Sequence, residues 1–228
     1  MKRSGGNWGD PVSAVNREVL VHAIERAIEL GKGRGFKQSV ELIVVLKDVD
    51  IKSPQLKIRE AVPLPRGRGK DLRVCVVGDA DIAESAKEAG AYKVILSTEL
   101  RDMSKKQARK VVSVCDWILV KPELMGIVGK VLGPALGPRG KIPVPIPSGS
   151  AIKALVTRYK NTVLARIKDQ PVIMVAIGTE DMKAEDLAEN AVTILSSIES
   201  KLPARSANIG KVIVKTTMGM PIEVPIGR

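Results

Sequence analysis

Between Leu72 and Gly133, short apolar runs alternate with helical patterns, and this alternation limits the possible folds more than any other feature of the sequence. The runs are almost continuously apolar, which is typical of strands buried on both faces of a sheet. They are residues 72–77, 92–96 and 116–120. The segments between them carry the spacing of amphipathic helices. A strand–helix–strand–helix order of this kind predicts a parallel, doubly wound α/β unit.

The segments on either side follow another pattern, in which helices and strands are longer and the strands come in pairs. A helix is predicted over Pro11–Leu30, with Asp10 as its cap and Pro11 in its first turn. Strands rich in β-branched residues are predicted at Ser39–Leu46 and Ile58–Leu64. Beyond residue 150 the pattern predicts a helix, a strand pair, a helix and a second strand pair, at 151–159, 162–168 with 171–178, 186–198, and 211–217 with 222–226.

Two proline-rich and glycine-rich segments separate these regions. The first is the basic connector Pro65–Lys70, and the second is Gly133–Gly149, which we expect to be rigid and extended because of its prolines. The composition therefore predicts boundaries that divide the chain into segments 1–65, 66–151 and 152–228.

The charge balance indicates the class of partner. The chain has 37 Lys and Arg residues against 25 Asp and Glu residues, which gives a formal net charge of +12. A chain this basic usually binds a polyanion or an anionic membrane surface. Membrane insertion is not expected, because no run of about 18 apolar residues is present, and no apolar stretch near Met1 suggests a secretory signal. The basic residues are spread along the chain, so charge alone does not locate a site.

Catalytic, cofactor and metal chemistry are not expected. The single histidine, His22, falls within the first predicted helix, so the usual general base is lacking and an enzyme is disfavoured. Cys75 and Cys115 lie in apolar runs. We interpret them as small buried residues of a reducing cytoplasm and not as a disulfide. We expect neither a metal site nor a cofactor.

Three segments could bind a ligand, and each also has a structural explanation. The loop Gly31–Ser39 combines glycines, basic residues and Phe36, which would suit RNA, but Phe36 could equally pack under the edge of the sheet. The sequence TTMGMP near the final strand could approach RNA closely, or it could be a turn whose methionines fill the core. Gly78 and Asp79 follow a buried strand and could hold a nucleotide phosphate, although a plain turn is commoner. A nucleotide-binding or small-molecule-binding α/β protein is therefore the alternative function, and a nonspecific RNA chaperone is a third.

Four motifs together resemble the ribosomal protein L1 family over essentially the whole chain. They are GFKQSVEL at residues 35–42, REAVPLPRGRGK at 59–70, GPALGPRGKIPVP at 133–145 and KTTMGMP at 215–221. The pair Arg59–Glu60 and the sequence PVPIP depart from bacterial members and look archaeal. These departures do not fall on the residues expected to contact RNA.

The resemblance implies a mixed α/β fold of two domains. Residues 1–65 and 152–228 would form an RNA-binding α+β domain, and residues 66–151 would form an inserted, Rossmann-like doubly wound domain. The family implies a structural, non-enzymatic role in the cytoplasmic ribosome, where the protein would bind large-subunit rRNA at the L1 stalk. Release of deacylated tRNA from the exit site and repression of its own mRNA are also implied. We expect a monomer off the ribosome.

The same resemblance implies which residues contact RNA. By alignment with the family they are Phe36, Lys37, Ser39, Glu41, Lys168, Thr217, Met218 and Gly219. Thr217 and Gly219 would meet 2′-hydroxyls and backbone, whereas Phe36 and Met218 would offer flat apolar contacts. The LGPRGKIP motif is expected to fix the backbone, although Arg139 and Lys141 remain candidates for secondary rRNA contacts.

Overall fold

The chain forms two compact units. The computed structural model describes residues 15–50, 58–147 and 151–226. Asp71–Thr162 form one unit, here called the inserted unit. Met1–Lys70 and Val163–Arg228 form the other, here called the two-ended unit, and each unit has its own hydrophobic core. The mixed α/β fold of two domains predicted from the sequence is confirmed.

A four-stranded antiparallel sheet in the order β10-β9-β1-β8 organises the two-ended unit. Its strands are β1 (Ser39–Leu46), β8 (Val172–Thr179), β9 (Ile209–Thr216) and β10 (Ile222–Val224). Two further strands, β2 (Arg59–Pro63) and β7 (Thr162–Arg166), pair with each other. The predicted pairing of the last two strands is therefore confirmed, whereas β7 pairs with β2 and not with β8.

Two helices cover one face of this sheet: α1 (Arg17–Gly31) and α8 (Ala184–Glu199). Alternate residues of β1, beginning with Val40 and Leu42, are fully buried and join the core that these helices complete. The residues between them point to the other face, as a period of two requires.

The first helix begins later than expected. Helix α1 starts at Arg17, because the Asn16 side chain accepts a hydrogen bond from the Glu18 backbone N–H at 2.8 Å and caps the helix. The expected cap, Asp10, and first-turn residue, Pro11, lie outside the described residues.

The inserted unit contains the predicted parallel sheet. Strands β3 (Val74–Gly78), β4 (Lys93–Leu96), β5 (Trp117–Val120) and β6 (Val144–Pro145) run parallel in the order β4-β3-β5-β6. The connecting helices are α2 (Ala80–Glu88), α3 (Ser97–Arg101), α4 (Lys105–Val114), α5 (Met125–Val131) and α6 (Gly133–Arg139). Short 3₁₀ turns lie at Pro122–Leu124 in this unit and at Arg205–Asn208 in the two-ended unit.

The proline-rich segment that begins at Gly133 is expected to be extended, and the structure shows that this expectation is wrong for its first half. Its first half is helix α6, in which Pro134 occupies the first turn, where its missing N–H costs nothing. The left-handed residue Gly140 (φ 59°) ends the helix. The following residues, Val144 and Pro145, form β6 at the edge of the parallel sheet, where a proline is tolerated.

The second boundary between the units lies later in the chain than the expected boundary at residue 151. Helix α7 (Ile152–Lys160) packs against α2 and belongs to the inserted unit. The Trp117 ring contacts Tyr159 edge to face at 5.1 Å, and its Nε1–H donates to the Thr162 carbonyl at 2.8 Å. These contacts hold the end of α7 to the inserted unit, so the units divide after Thr162.

The expectation of two separate cysteines is wrong. Cys75 of β3 and Cys115, which follows α4, are both fully buried and form a disulfide, with their Cα atoms 5.7 Å apart. Cys115 lies just before β5, and β5 is the parallel neighbour of β3 in the sheet, so the sheet brings together two residues that are 40 positions apart. Within the described residues, the helices are too short or too polar to cross a membrane.

Candidate nucleic-acid interface

The start of β1 and the turn after β9 are joined by backbone hydrogen bonds. The Thr217 N–H donates to the Ser39 carbonyl at 3.0 Å, and the Ser39 N–H donates to Thr217 Oγ1 at 3.3 Å. The Thr217 hydroxyl also donates to the Ser39 carbonyl at 3.3 Å. Since Val40 pairs with Thr216, these bonds continue the sheet register into the turn. Two segments that are 178 residues apart in sequence therefore form one surface.

Gln38 connects this surface to the rest of the two-ended unit. Its side chain is 1% exposed, and its Nε2 donates to the Gly31 carbonyl at the end of α1 at 2.7 Å. Its Oε1 accepts from the Met218 N–H at 2.9 Å. Glu180, which follows β8, accepts from both the backbone and the side chain of Gln38. One amide thus fixes the loop before β1 and the turn after β9 relative to the end of α1.

Large apolar side chains are exposed on both segments. Phe36 is 53% exposed, Met218 is 57% exposed and Met220 is 66% exposed. Phe36 is therefore not packed under the sheet edge, and these two methionines do not fill the core. The segment after β9 is a turn, as its structural explanation required, but the buried packing that both structural explanations required is not found. Exposed apolar groups flanked by hydroxyl and basic groups suit nucleotide bases and ribose.

Close packing behind the turn explains its glycine. A Cβ atom placed on Gly219 would lie 2.1 Å from Thr216 Oγ1, and one on Gly31 would lie 2.3 Å from the same atom. Thr216 is fully buried, and its Oγ1 has no hydrogen-bond partner among the described residues. The side chain of Thr216 thus fills the space that both glycines leave, so the turn lies tightly against α1.

The charges at the surface are mixed. The Lys37 ammonium forms an ion pair with Asp181, and both side chains are largely exposed. Glu41 lies directly opposite Lys215 on the neighbouring strand. An exposed pair contributes little to stability because water screens it, so Lys37 can exchange Asp181 for a phosphate at small cost.

One expected contact residue lies elsewhere. Lys168 follows β7 and is exposed beside Asp169, at an Nζ–Oδ2 distance of 3.6 Å. The nearby Pro171 carbonyl accepts from the Leu46 N–H, which belongs to the far end of β1 from Ser39. With about 3.3 Å per strand residue, Lys168 is roughly 20 Å from the Ser39–Thr217 contact. The structure brings together all the other expected residues, but not this one.

The alternative site at Gly78 and Asp79 has little room for a phosphate. Asp79 Oδ2 accepts from Lys121 Nζ at 2.7 Å, and a Cβ placed on Gly78 would lie 2.8 Å from Ile82. This ion pair occupies the point where the strand order reverses between β3 and β5, which is where such sheets commonly bind ligands. The carboxylate would repel a phosphate there.

Comparison with known proteins identifies the family. The sequence profile of the Ribosomal protein L1p/L10e family matches residues 26–220. The chain belongs to the ribosomal protein L1 family. It is 56% identical over 209 residues to the large ribosomal subunit protein uL1 of Staphylothermus marinus, covering 92% of this chain and 97% of that protein. It is 50% identical to the Aeropyrum pernix uL1 protein over 208 residues, covering 90% and 94%.

A third archaeal L1-family relative gives the same result. The uL1 protein of Hyperthermus butylicus is 47% identical over 217 residues, which cover 94% of this chain and 100% of that protein. The resemblance read from the four motifs, including its archaeal type, is confirmed. The chain is thus a ribosomal protein, in a family for which rRNA binding is general.

Two residues of this L1-family surface were not expected from the motifs. Gln38 could have been recognised, because it is in phase with the buried residues Val40 and Leu42 of β1. A polar residue at an inward position predicts a buried, hydrogen-bonded side chain. Glu180 carries no comparable signal, since only the completed fold brings it to Gln38.

Lys141 of the L1-family motif LGPRGKIP has an internal role. Its ammonium donates to the Val112 carbonyl at 2.9 Å and to the Cys115 carbonyl, so it caps the C-terminus of α4. Burial lowers the pKa of Lys141, and the charges of Arg139 and Arg73 lower it further, against the opposite effect of Asp116. Arg139 is exposed.

Proposed function

We propose that the chain is a structural constituent of the large ribosomal subunit, whose two-ended unit binds rRNA at the L1 stalk. The observation that carries the proposal is the Ser39–Thr217 contact, which joins two segments with exposed apolar side chains, Phe36 and Met218. Family membership supports a structural role and not a catalytic one. The names of the three relatives support the assignment to the large subunit.

Each residue of this surface has a distinct proposed role. The Thr217 hydroxyl donates to the Ser39 carbonyl and accepts from the Ser39 N–H, so one lone pair of its oxygen remains to accept from a ribose 2′-hydroxyl, the group that distinguishes RNA from DNA. Gly219 allows the sugar–phosphate backbone to approach without a side chain in the way. Phe36 and Met218 pack on exposed base or ribose faces.

The charged residues complete the proposed interface. Lys37 binds a phosphate in exchange for Asp181, and Glu41 accepts from base amino groups or 2′-hydroxyls. Lys168 contacts phosphate at a more distant part of the RNA, as its position at the other end of the sheet requires.

Two further activities are proposed. On the ribosome, the protein would assist release of deacylated tRNA from the exit site. Off the ribosome, the same surface would bind a similar structure in the protein's own mRNA and repress its translation. Both proposals rest on membership of the L1 family. Because rRNA and mRNA would use the same residues, they would compete for one site.

The test compares two substitutions of the same residue type. Met218→Asp is expected to weaken binding of a large-subunit stalk fragment by about 1–3 kcal/mol, as does loss of one good specific contact. Met174→Asp is the matched control, because Met174 is 59% exposed on β8 and pairs in register with Ile43, away from the turn. Binding is measured at physiological salt against a plain RNA duplex of equal length.

The outcomes of this comparison are distinct. A loss confined to Met218→Asp, and shared by an mRNA leader fragment, supports the proposed surface. An equal loss for both variants means that an added negative charge on the unit is sufficient, and the proposed surface is then wrong. Unchanged binding by a folded Met218→Asp variant also contradicts it.

A further inference from the structure

Helix α4 of the inserted unit carries an unusual concentration of positive charge. Its residues Lys105, Lys106, Arg109 and Lys110 are all exposed, and the helix contains no acidic residue. Lys106, Arg109 and Lys110 have the spacing i, i+3, i+4, which places them on one face. The opposite face is buried through Ala108, Val111 and Val112.

This arrangement does not serve the stability of the helix. Lys105 and Lys106 lie in the first turn, where the helix dipole favours acidic residues and disfavours cations. Like charges also face each other four residues apart, in the pairs Lys105–Arg109 and Lys106–Lys110, and such pairs destabilise a helix. None of the four cations forms an ion pair with another described residue.

The helix is held by neutral or buried groups instead. Ser104 and Gln107 form a capping box, in which Gln107 N–H donates to Ser104 Oγ at 3.3 Å and Ser104 N–H donates to Gln107 Oε1 at 2.9 Å. Glutamine at this position adds no negative charge to offset the lysines. At the other end, Lys141 binds the last carbonyls from within the structure. The four exposed cations are therefore free to meet an external anion.

We propose that the outward face of α4 is a second RNA-binding surface, which contacts phosphate backbone without reading sequence. This inference rests on the proposed function, because rRNA is the polyanion that it supplies. Flexible lysines and an arginine bind phosphates as charges and release condensed counterions. The face has no aromatic side chain for stacking on bases, so binding through the backbone is the chemistry that it offers.

The test is a charge-matched comparison in the full-length chain. One variant carries Lys106→Gln, Arg109→Gln and Lys110→Gln, and the control carries Lys87→Gln, Lys93→Gln and Lys130→Gln, which are also exposed residues of the inserted unit. Binding of an RNA duplex unrelated to rRNA is measured between 50 and 200 mM salt. Each phosphate contact contributes about 0.9 to the slope of log affinity against log salt concentration, so loss of three contacts is expected to reduce the slope by about 2–3.

A large effect of the α4 substitutions together with a small effect of the control supports the second surface. Equal effects would show that only net charge matters, and no effect of the α4 substitutions would show that the helix is not used; either result overturns the proposal. Circular dichroism verifies that the variants fold. The stability of the α4 variant should rise slightly, because the repulsion between like charges within α4 is removed.

A second measurement separates this proposal from the proposed function. Lysine acetylation of the wild-type chain is followed by mass spectrometry with and without the same duplex, and Lys105, Lys106 and Lys110 should react more slowly in the complex, whereas Lys87 should not. The proposed function is tested separately, by the effect of Met218→Asp on binding of the stalk fragment. Failure of protection on α4 therefore overturns the second surface alone.

Discussion

Gln38 and Glu180, which are 142 residues apart in sequence, are joined by three hydrogen bonds beneath the proposed RNA-binding surface, one of them from the Glu180 N–H to the Gln38 carbonyl at 3.1 Å. The Gln38 backbone N–H donates to Glu180 Oε1 at 2.8 Å, and Gln38 Nε2 donates to Glu180 Oε2 at 3.2 Å. The same side chain also binds Gly31 and Met218, so the position of the turn depends on a buried residue.

Replacing Gln38 should therefore affect both stability and binding. In Gln38→Leu, the Gly31 carbonyl and the Met218 N–H lose their buried partner, and each unsatisfied buried group costs about 1–3 kcal/mol. The free energy of unfolding, measured in urea, should fall by at least that amount. Affinity for the stalk fragment should fall about tenfold as the turn becomes mobile. Glu180→Gln is the milder control, since it still offers an oxygen to the Gln38 N–H; equal losses in the two variants would argue against a central role for Gln38.

Gly219→Ala should show how tightly the turn is packed. Its added Cβ would lie 2.1 Å from Thr216 Oγ1, so either the buried threonine or the turn must move. Overpacking of this kind costs about 1–3 kcal/mol, and RNA affinity should fall with it. In the double variant with Thr216→Ala, part of the lost stability should return because the clashing atom is gone. Simple addition of the two single effects would show that these residues do not compete for the same space.

Reduction of the disulfide should destabilise the inserted unit. Cys75 and Cys115 are separated by 40 residues, and a cross-link closing a loop of that length stabilises a fold by about 4 kcal/mol in the chain-entropy account. Thermal unfolding by calorimetry should therefore occur at lower temperature in dithiothreitol. The variant with Cys75→Ala and Cys115→Ala should be equally destabilised and should not respond to the reductant. Two thiols that react freely in the unfolded, unreduced chain would contradict the pairing.

The ion pair of Asp79 and Lys121 should make stability depend on acid pH. The hydrogen bond from Lys121 lowers the pKa of Asp79, and a second from Ser97 lowers it further. Because the folded pKa lies below the ordinary value of 3.8, the stabilisation is complete above that value. It is lost as pH falls through the lower, folded pKa.

Asp79→Asn tests this dependence. The variant should be less stable than the wild-type chain at pH 7, and the difference should shrink as pH falls below about 4, where the carboxylate of the unfolded wild-type chain begins to take up a proton. Urea unfolding at a series of pH values between 2 and 7 measures both curves. A difference that is constant over that range would mean that the charge of Asp79 contributes nothing.

The regular elements could be predicted from sequence because their patterns are local. Ser39–Leu46 was predicted to the residue, since this short apolar run is rich in β-branched residues. Helix α6 was not predicted, because its glycines and prolines favour turns. The helix tolerates them because one of its two prolines lies in the first turn and only Pro138 lies in the interior. Pairing of Cys75 with Cys115 depends on tertiary structure, which no local pattern contains.

The candidate site was predictable only through resemblance to a family. Nothing in composition or spacing indicates that Ser39 and Thr217 meet, because their contact depends on the order of strands in the finished sheet. The position of Gln38 in the alternating pattern of β1 predicts a buried, hydrogen-bonded side chain, but it does not predict the partners. Lys168 shows the converse, because a residue assigned by alignment lies far from the others in the fold.

The strand order of the two-ended unit also determines when the proposed RNA-binding surface can first form during synthesis. As the chain is synthesised, β1 emerges early, but its neighbour β9 follows only after the inserted unit and α8. Contacts that span such long sequence separations form late in folding. A nascent or truncated chain that stops before Thr217 therefore contains every residue of the inserted unit but lacks part of the proposed surface, and on this proposal it would not compete with the finished protein for rRNA.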